Sequence, residues 1–478
     1  MFAYGPLPPL MFGGMIAFLL IGFPVAFSLS AVGLLFGLFG IWTAHFSPDF
    51  LQALPFRFFG IMSNELLLAI PFFTFMGAIL EKCGLAEDLL EGTGQLFGSV
   101  PGGIAYAVIV VGAILGAITG TVAASVIAMG VISLPVMIRY GYDMRLATGV
   151  IAASGTITQL IPPSLVLIVL ADQLGRSVGD MYLGAIGPSM LQVLIFVLYI
   201  AILSFLRPGS MPPIPPEART ERGWPLIRRV LWGMVPSIVL IFLVLGTIFL
   251  GLATPTEAGA MGAVGAIGLA ALHRRLSWTL IRQSMESTMR ITSMVVFILI
   301  GSTCFSLVFQ GMDGGRWIEH LLSQLPGGQV GFLIFVNVFI FFLAFFLDFF
   351  EIAFIVIPLL APVAAKLDIN LIWFGVLLCV NMQTSFMHPP FGFALFYLRG
   401  IAPKTVRSRD IYWGAIPWVG MQILLVVIVI MWPGSVTYWL GGQVQKDPAE
   451  VERSLRDLPS PLDGPGGLPG LDGPPKIE

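Results

Sequence analysis

Apolar runs of about 20 residues recur along this chain, and they constrain its fold more than any other feature. A helix of that length spans the hydrocarbon core of a bilayer, which is about 30 Å thick. Hydrophobic residues make up 57% of the 478 and charged residues only 10%, against about 25% charged in a soluble domain. The runs that meet or approach the spanning length are Leu10–Phe27, Ser28–Ala44, Leu66–Leu80, Met181–Leu206, Val230–Leu250, Glu257–Leu272, Thr288–Phe309 and Ile411–Trp432. We therefore predict an all-α polytopic membrane protein.

The few charged and reactive residues exclude several other classes of protein. The 24 basic and 26 acidic residues are too scattered for a nucleic-acid surface. Cys83, Cys304 and Cys379 lie in apolar runs, without the spacing of a disulfide framework or a zinc site. No GxSxG, GxxxxGK[ST] or HExxH motif occurs, so we predict neither an enzyme nor a self-contained ATP-driven pump. The N-terminus lacks the basic segment of a cleaved signal peptide.

Four further apolar segments are interrupted in their middle. Residues 103–140 and 329–366 are each nearly twice as long as a span and carry small or acidic residues at the centre, which predicts re-entrant helical hairpins. Residues 145–172 and 370–398 each contain a Pro-Pro pair, which predicts broken helices. Gly84–Ser99 and Met312–Leu325 are too polar to span and are predicted to lie at the membrane surface.

The two halves of the chain repeat one order of landmarks. Pro24, the Pro-Gly-Gly at 101, Pro135 and the Pro-Pro at 162 recur at offsets of 231, 225, 223 and 227. This predicts a first repeat over 10–206 and a second over 230–435, joined by a basic, proline-rich cytoplasmic linker at 207–229. Residues 446–478 form a Pro/Gly-rich tail that is predicted to be disordered.

An odd number of crossings in each repeat would invert the second repeat relative to the first. If both long segments are hairpins, each repeat crosses five times. With the N-terminus outside, 16 lysines and arginines fall in cytoplasmic loops and 4 in outer loops, which agrees with the positive-inside rule. The same charge split would arise if the long segments crossed twice with the same ends. Charge alone therefore leaves hairpins and full crossings as alternatives.

Oxygen-rich clusters mark the two predicted tips and the two predicted breaks. Irregular backbone at membrane depth is tolerated only where protein or a water-filled cavity satisfies its polar groups. A hard monovalent cation takes about five or six oxygens, and half-helix ends supply carbonyls to a cation and N–H groups to an anion. For any one cluster, close helix packing is the alternative. The residues concerned are Thr119, Gly120, Thr121 and Ser125 at the first tip, Ser154, Gly155 and Thr156 at the first break, Asp348 and Glu351 at the second tip, and Asn381, Thr384 and Ser385 at the second break.

The acids and the histidine within apolar sequence allow more than one interpretation. Asp348 and Glu351 are candidates for function because a charge facing lipid is costly, although an acid at the interface end of a hairpin is an alternative. Glu257 follows Thr254 at a predicted helix start, where capping explains an acid. His388 is either a proton carrier or, as we expect, a hydrogen-bonded structural residue beside Pro-Pro.

Six strings of this sequence are specific in combination: IPFF at 70–73, GAITGTVAAS, ISLPVMIRYGYD, IAASGTITQLIPPS, LATPTEAGAMGAV and NMQTSFMHPPFGFALFYLRG. Through them the chain resembles the large membrane subunit of the tripartite ATP-independent periplasmic (TRAP) transporters over nearly all of residues 10–435. The second half is similar to the branch loosely labelled for mannitol or chloroaromatic compounds. The chain departs from the family pattern at Thr119-Gly120-Thr121, where many relatives have a serine-rich turn, at the paired acids of the second tip, and at His388, where a threonine usually precedes Pro-Pro.

The resemblance implies an elevator-type secondary transporter of the bacterial inner membrane, with two inverted repeats that each contain a re-entrant hairpin and a broken helix. It implies sodium as the coupling ion, bound by the tip and break residues named above, and no other cofactor. An organic acid would bind between the tips. The residues expected to contact it are Thr119, Thr121, Pro162, Pro163, Thr384, Ser385, His388, Pro389 and Pro390.

The implied partners are a small four-helix membrane subunit and a periplasmic substrate-binding protein. We expect the small subunit to be a separate chain, because no four-helix block precedes residue 10 or fills the linker. A standalone ion-coupled antiporter or exporter is an alternative that needs no binding protein. A membrane-embedded enzyme or scaffold is a third reading, and it would need catalytic clusters at membrane depth.

Three geometric expectations follow. Ser154 and Thr156 should face Thr119–Ser125, and Asn381, Thr384 and Ser385 should face Asp348–Glu351. A unit that contains both hairpins should slide against a fixed frame of Leu10–Ala44, Met181–Leu272 and Ile411–Trp432. No lysine or arginine lies between the tips, so an anion there would be held by backbone N–H groups, hydroxyls and the bound sodium.

Overall fold

The computed structural model describes residues 5–119, 121–219 and 223–440, without the side chains of 85–87, 118 and 119. Gly120 and the predicted tail at 446–478 lie outside the described residues. Within them the regular secondary structure is entirely helical. Eight helices are long and apolar enough to span a membrane by themselves, and two further pairs of bent helices pass the same test together.

The described residues of the first half contain ten α-helices. They are α1 (Leu7–Ile21), α2 (Val25–Trp42), α3 (Leu54–Met62), α4 (Glu65–Lys82), α5 (Leu85–Leu96), α6 (Gly103–Thr119), α7 (Val122–Arg139), α8 (Met144–Thr156), α9 (Leu165–Leu174) and α10 (Val178–Leu206). The predicted boundary between the first two spans is displaced, because Gly22 ends α1 in the left-handed region at a φ of 91° and Pro24 precedes α2. The sequence pattern did not predict α3, which is bent by 46° from α4.

The second half, as far as residue 440, contains eleven α-helices. They are α11 (Trp224–Phe249), α12 (Pro255–Leu272), α13 (Trp278–Gly311), α14 (Gly314–Ser323), α15 (Gly328–Leu343), α16 (Phe349–Glu351), α17 (Ile357–Lys366), α18 (Leu371–Met382), α19 (Phe393–Ile401), α20 (Ser408–Met431) and α21 (Gly434–Thr437). A π-helical turn, Ile352–Val356, joins α16 to α17, so that Phe349–Lys366 forms one continuous return arm. Gly327 and Gly328, both at positive φ, allow the 117° bend between α14 and α15.

Polar caps set the starts of several helices. Asp143 caps α8 and Asn370 caps α18, and these two residues are 227 positions apart, like the two Pro-Pro pairs. At the start of α12, the Thr254 N–H donates to the Glu257 carboxylate at 2.8 Å, and the Glu257 N–H donates to the Thr254 hydroxyl at 3.3 Å. This reciprocal capping box confirms the structural interpretation of Glu257.

Each predicted hairpin returns to the side from which it starts. Near the start of α6, the Ile104 N–H donates to the Tyr142 hydroxyl at 3.3 Å, just beyond the end of α7. In the second half, Gln329 at the start of α15 donates its side-chain amide to the carbonyl of Leu367, at 2.6 Å, just beyond the return arm. The ends of both segments are therefore held together.

Two broken helices face each other in the core. The first runs through α8, a 3-10 turn at Ile157–Gln159 and α9, and the second through α18, a 3-10 turn at Gln383–Phe386 and α19. Proline has no N–H and its ring clashes with the preceding turn, so each Pro-Pro pair stops the helix before it. Both Pro-Pro peptide bonds are cis. The Cys379 thiol of α18 contacts the carbonyl of Gln159 at 3.4 Å, which places the two breaks side by side.

The packing corrects the expected frame. Helix α20 crosses α8 where Gly414 meets Gly149, and a Cβ on Gly414 would overlap the carbonyl oxygen of Arg145. Helix α10 packs on α9 and α18. The expected frame included α10 and α20, and the structure packs both of them against the broken helices. Helices α3, α4 and α13, which the expected frame did not include, pack with its members and with each other: α2 and α3 against α13, and α4 against α12 and α13. We call α2, α3, α4, α12 and α13 the frame, and the hairpins, broken helices, α10 and α20 the second body.

Part of the segment predicted as a linker runs across the ends of the first hairpin and is hydrogen-bonded there. The carbonyl of Met211 accepts the Gly102 N–H, and the carbonyl of Ser210 accepts the Asp143 N–H, both at 2.9 Å. Ile214 donates its N–H to the Gly98 carbonyl at 2.8 Å, and the Met211 side chain is buried. Residues from Trp224 onward belong to α11.

Candidate functional site

One cavity of about 170 Å³ collects residues from both tips and both breaks. We call it the central chamber. Thr121 lines it from the first tip, Gln159 from the first break, Asp348 from the second tip and Phe386 from the second break. The convergence of all four predicted irregular places on one cavity defines the candidate site.

The rest of the chamber wall comes from residues that the sequence pattern did not single out. Ile291 and Met294 contribute from α13, a helix of the frame, and Tyr397 contributes from α19. Tyr397 is the only one of these three with a hydrogen-bonding side chain. A tyrosine within NMQTSFMHPPFGFALFYLRG has no periodic or compositional signal of its own, so its position follows only from the packing.

At the first tip, small residues bring α6 close to the first broken helix. A Cβ on Gly112 would lie 2.7 Å from the Cβ of Ser154, and one on Gly116 would lie 2.9 Å from the Cα of Thr158. Thr121 occupies the N-cap position of α7 without a side-chain cap bond. Ser125 is fully buried in the next turn. The Thr119 side chain and Gly120 lie outside the described part of this tip.

The first break only partly meets the expected geometry. Gly155 lies directly against Val126 of α7, but Ser154 lies against α6. The Thr156 hydroxyl donates to the Ala153 carbonyl at 2.8 Å and accepts the side-chain amide of Gln422 at 3.0 Å, so it faces α20. Residues two apart on a helix point in nearly opposite directions, which is why Ser154 and Thr156 cannot both face the tip.

At the second tip, the two acids cap a helix. The Asp348 N–H donates to the Glu351 carboxylate at 2.9 Å, and the Glu351 N–H donates to the Asp348 carboxylate at 3.0 Å. This is a capping box, which satisfies two N–H groups that the tip would otherwise leave unpaired. Asp348 also lines the central chamber, whereas Glu351 does not. One oxygen of each acid therefore has a structural role.

The second break faces the hairpin arm rather than its tip. Asn381 donates its side-chain amide to the backbone carbonyl of Asn337 at 2.7 Å and to its side-chain oxygen at 3.1 Å. The hydroxyls of Thr384 and Ser385 donate to carbonyls three residues earlier, at 2.7 and 2.6 Å. The expectation that Asn381 faces Asp348–Glu351 is therefore wrong. The contact of Asn381 with Asn337 repeats that of Ser154 with Gly112, at offsets of 227 and 225.

Two buried glutamines link the breaks across the repeats. Gln192 of α10 donates its side-chain amide to the side-chain oxygen of Gln383 in the second break, at 2.6 Å. Gln422 of α20 bonds Thr156 in the first break. The two glutamines are 230 positions apart and their partners 227 apart, so the bonds are related by the internal repeat. The sequence pattern missed both, although the common offset was a signal that could have found them.

His388 is buried in an apolar setting instead of a hydrogen-bonded one. Its ring lies between Phe341 and Phe345, with ring centroids 4.2 and 4.3 Å away. Neither ring nitrogen has a hydrogen-bond partner in the part of the chain that the structure describes, which contradicts the expected structural role. Among the described side chains predicted to contact substrate, Thr121 lines the central chamber, and the others do not: Pro162, Pro163, Thr384, Ser385, His388, Pro389 and Pro390.

The fold is that of a polytopic α-helical membrane protein with a cavity at its helix breaks. The solved structure of the Alcanivorax borkumensis YdaH transporter, described as having an unusual topology, covers 90% of this chain and 98% of its own, with a TM-score of 0.59 and 14% sequence identity. The two proteins share a fold. The predicted fold class, with inverted repeats that contain hairpins and broken helices, is confirmed.

Residues 12–435 match the family described as the tripartite ATP-independent periplasmic transporter, DctM component, and the chain belongs to this family. The "C4-dicarboxylate TRAP transporter large permease protein DctM" of Pseudomonas aeruginosa is 30% identical over 83% of this chain and 92% of its own length. The Vibrio cholerae protein of the same name is 29% identical over 90% and 96%. The "Isethionate TRAP transporter permease protein DctMQ" of Oleidesulfovibrio alaskensis is 27% identical over 91% and 66%.

The family membership confirms the resemblance seen in the sequence. The chain is a TRAP transporter large permease, a multi-pass protein of the bacterial inner membrane, and a transporter component rather than an enzyme.

Proposed function

We propose that this chain is the permease of a sodium-coupled importer, which takes up an organic acid delivered by a periplasmic binding protein. The observation that carries the proposal is the central chamber, where both tips and both breaks converge. Broken helices that meet around a cavity provide carbonyls for cations and N–H groups for an anion. We further propose that the N-terminus is periplasmic, in line with the distribution of lysine and arginine.

Unpaired oxygens beside the first break support a cation site there. The Ser154 side chain is fully buried, and its hydroxyl has no hydrogen-bond partner in the described structure. The side-chain oxygen of Gln422, whose amide bonds Thr156, is buried and likewise unpaired. Burying a polar oxygen without a partner is unfavourable, and a bound sodium ion could satisfy either of these oxygens, on the α6 side or on the α20 side of the break.

The division into two packed bodies supports an elevator mechanism. The central chamber lies at their boundary, because α13 of the frame supplies Ile291 and Met294 while the tips and breaks supply the rest. Sliding of the body that contains the hairpins, the broken helices, α10 and α20 past the frame would carry the chamber across the membrane. The interlocked glycines of α8 and α20 support including α20 in the moving body.

Relatives support the substrate class and the partners. Their names specify C4-dicarboxylates, isethionate, 2,3-diketo-L-gulonate and sialic acid, all of which are organic acids. We propose an organic acid here too, a periplasmic binding protein, and a separate small membrane subunit. In the Oleidesulfovibrio relative, the name DctMQ describes one permease protein, so a separate subunit is a proposal for this chain.

Uptake into proteoliposomes tests the proposal. The chain is reconstituted with its binding protein and small subunit, and external sodium is replaced by potassium or choline. We expect uptake to stop, and we expect the apparent substrate affinity to rise steeply with sodium, because the ions provide positive charge that the tips lack. Uptake driven by a proton gradient alone would contradict sodium coupling. An affinity that stays flat across the sodium titration would indicate a neutral substrate, such as a polyol.

A further inference from the structure

A second cavity, of about 370 Å³, lies in the seam between the two bodies. We call it the seam cavity. The frame contributes Arg57 of α3, Asn64 at the start of α4 and the outer part of α13, whereas the moving body contributes Asp172 at the end of α9 and Phe354 of the return arm. Its volume lies within the range of roughly 300–1,000 Å³ that is typical of small-molecule sites.

The seam cavity continues the central chamber along the same three elements. Leu165 of α9 lines the chamber and Asp172 lines the seam cavity, which is about 10 Å further along the helix at 1.5 Å per residue. On α13 the lining passes from Met294 to Ser302, and on the return arm from Phe350 to Phe354. The two cavities therefore follow one another along the seam, and in the orientation proposed above the seam cavity is the outer one.

Unused hydrogen-bonding groups of α13 line the seam cavity. Hydroxyls in apolar helices commonly donate to a carbonyl of the preceding turn, as Thr288 of the same helix does to Ser284 at 2.8 Å. Thr303, Ser306 and Gln310 have no side-chain hydrogen bond within the described part of the chain. Two hydroxyls and one carboxamide thus remain available to a ligand.

Arg57 adds an unpaired positive charge to these groups. Two other outer basic residues are paired, Arg316 with Asp313 at 3.3 Å and Lys366 with Glu319. Arg57 has no ion-pair partner among the described residues.

The acid of the lining, Asp172, has a partner at each carboxylate oxygen. It accepts the side-chain amide of Asn64 at 2.8 Å and that of Gln173 at 2.9 Å. Asp172 keeps its negative charge because both partners are neutral amides, but the two bonds hold its carboxylate in place. Arg57 is the positively charged group of the lining and the one that can pair with an incoming anion.

We propose that the seam cavity is a binding site for a hydroxylated carboxylate, separate from the site between the tips. The carboxylate pairs with Arg57, and the hydroxyls of the ligand bond Thr303, Ser306 and Gln310. Guanidinium groups bind carboxylates through two parallel hydrogen bonds, which makes Arg57 the anchor of the ligand. The seam site needs no bound cation. Its position on the path to the central chamber rests on the proposed function, but its ligand chemistry does not.

Binding in sodium-free buffer tests the seam site by itself. The full chain in lipid nanodiscs, in choline buffer, is titrated by calorimetry with D-gluconate, with hexanoate, which lacks the hydroxyls, and with mannitol, which lacks the charge. We expect gluconate to bind most tightly of the three. Arg57→Ala should weaken gluconate binding at least about tenfold, since it removes a charge-assisted pair, and Arg57→Lys should weaken it less.

Separate variants test the contribution of the Thr303 and Ser306 hydroxyls and the specificity of the Arg57 charge. The double variant Thr303→Val/Ser306→Ala should weaken gluconate binding and leave hexanoate unchanged, while Arg316→Ala should leave both unchanged. The absence of gluconate binding to the unmodified chain, equal binding of gluconate and mannitol, or unchanged gluconate affinity in Arg57→Ala would each overturn the seam site.

Parallel uptake measurements separate this inference from the proposed function. If gluconate binds through Arg57 but uptake ignores sodium, the proposed coupling fails and the seam site stands. If uptake depends on sodium but Arg57→Ala leaves gluconate affinity unchanged, the seam site fails and the coupling stands.

Discussion

Two acids at the second hairpin tip illustrate how one residue pair can be read as ion ligands or as a helix cap. Asp348 and Glu351 bond each other's backbone N–H, so each carboxylate already has a structural task. A carboxamide at the third helical position can accept the same hydrogen bond as a carboxylate. The charge of Glu351 and its capping function can therefore be separated by substitution.

Glu351→Gln should keep both stability and sodium-dependent uptake close to those of the unmodified chain, because glutamine retains the cap. Glu351→Ala should lower the thermal unfolding temperature through the loss of a cap worth about 1 kcal/mol. Thermal unfolding in detergent and uptake by the same preparations check this. Loss of uptake in Glu351→Gln at normal stability would instead assign the charge to ion binding or proton transfer.

Ser154 offers a second test at the residue scale. Its buried hydroxyl makes no hydrogen bond within the described structure, so Ser154→Ala should cost little stability. If the hydroxyl binds sodium, the variant should raise the sodium concentration for half-maximal uptake several-fold. Ser133→Ala is the matched control, because the Ser133 hydroxyl is also buried and unpaired but lies away from the breaks, in a cavity beside α5. Equal shifts in the two variants would argue against an ion ligand.

At the scale of elements, close glycine crossings decide which helices move together. Helices α8 and α20 approach so closely at Gly149 and Gly414 that a methyl group on either would meet the backbone of the other helix. Side chains commonly adjust to a new contact, whereas backbone atoms in a close-packed crossing cannot do so without moving a whole helix. This crossing makes the first broken helix and α20 one rigid unit.

Gly414→Ala should destabilise the protein by about 1–3 kcal/mol through overpacking at this crossing. Gly420→Ala, on the same helix, has open space around the new methyl group and should be neutral or slightly stabilising, because alanine favours a helix more than glycine does. Thermal unfolding of the two variants side by side measures the difference. Similar unfolding temperatures would show that α20 can shift away from α8.

Some elements of the fold and site could be predicted from the sequence, and others could not. Most spans could be predicted, because a run of about 20 apolar residues rarely forms anything other than a membrane-spanning helix. The breaks were predictable because a Pro-Pro pair in the middle of an apolar run stops the helix before it. The directions of Ser154, Thr156 and Asn381 were not, because they depend on how the helices rotate and pack. Gln192 and Gln422 lie singly in apolar helices, and only their partners in the other repeat reveal their role.

At the scale of the whole molecule, a few polar contacts join the two bodies across the seam. Asn64 of the frame bonds Asp172 of α9, and Ser302 of α13 donates its hydroxyl to the Phe354 carbonyl at 2.5 Å. Within the moving body, Arg145 of α8 and Asp410 of α20 form an ion pair at 3.6 Å. An elevator motion along the seam must break the contacts that cross it and preserve the ion pair of Arg145 with Asp410.

Crosslinking distinguishes the two kinds of contact. In a background without the native cysteines, Asn64→Cys/Asp172→Cys treated with a short bifunctional thiol reagent should lose uptake, because the bridge ties the moving body to the frame. Arg145→Cys/Asp410→Cys treated in the same way should transport normally, since both positions move together. Normal uptake by the first crosslinked pair, with the bridge verified by mass spectrometry, would refute an elevator that slides at this seam.

The hydrogen bonds of Gln192 and Gln422, each of which joins one repeat to the other, bear on the origin of the molecule. Helix α10 of the first repeat bonds the break of the second, and α20 of the second repeat bonds the break of the first. Neither half of the chain therefore contains both partners of either bond. Two copies of a half-length protein, inserted in the membrane in opposite orientations, could form the same two bonds between subunits. The bonding pattern is therefore the one expected at the interface of an antiparallel homodimer of half-length chains.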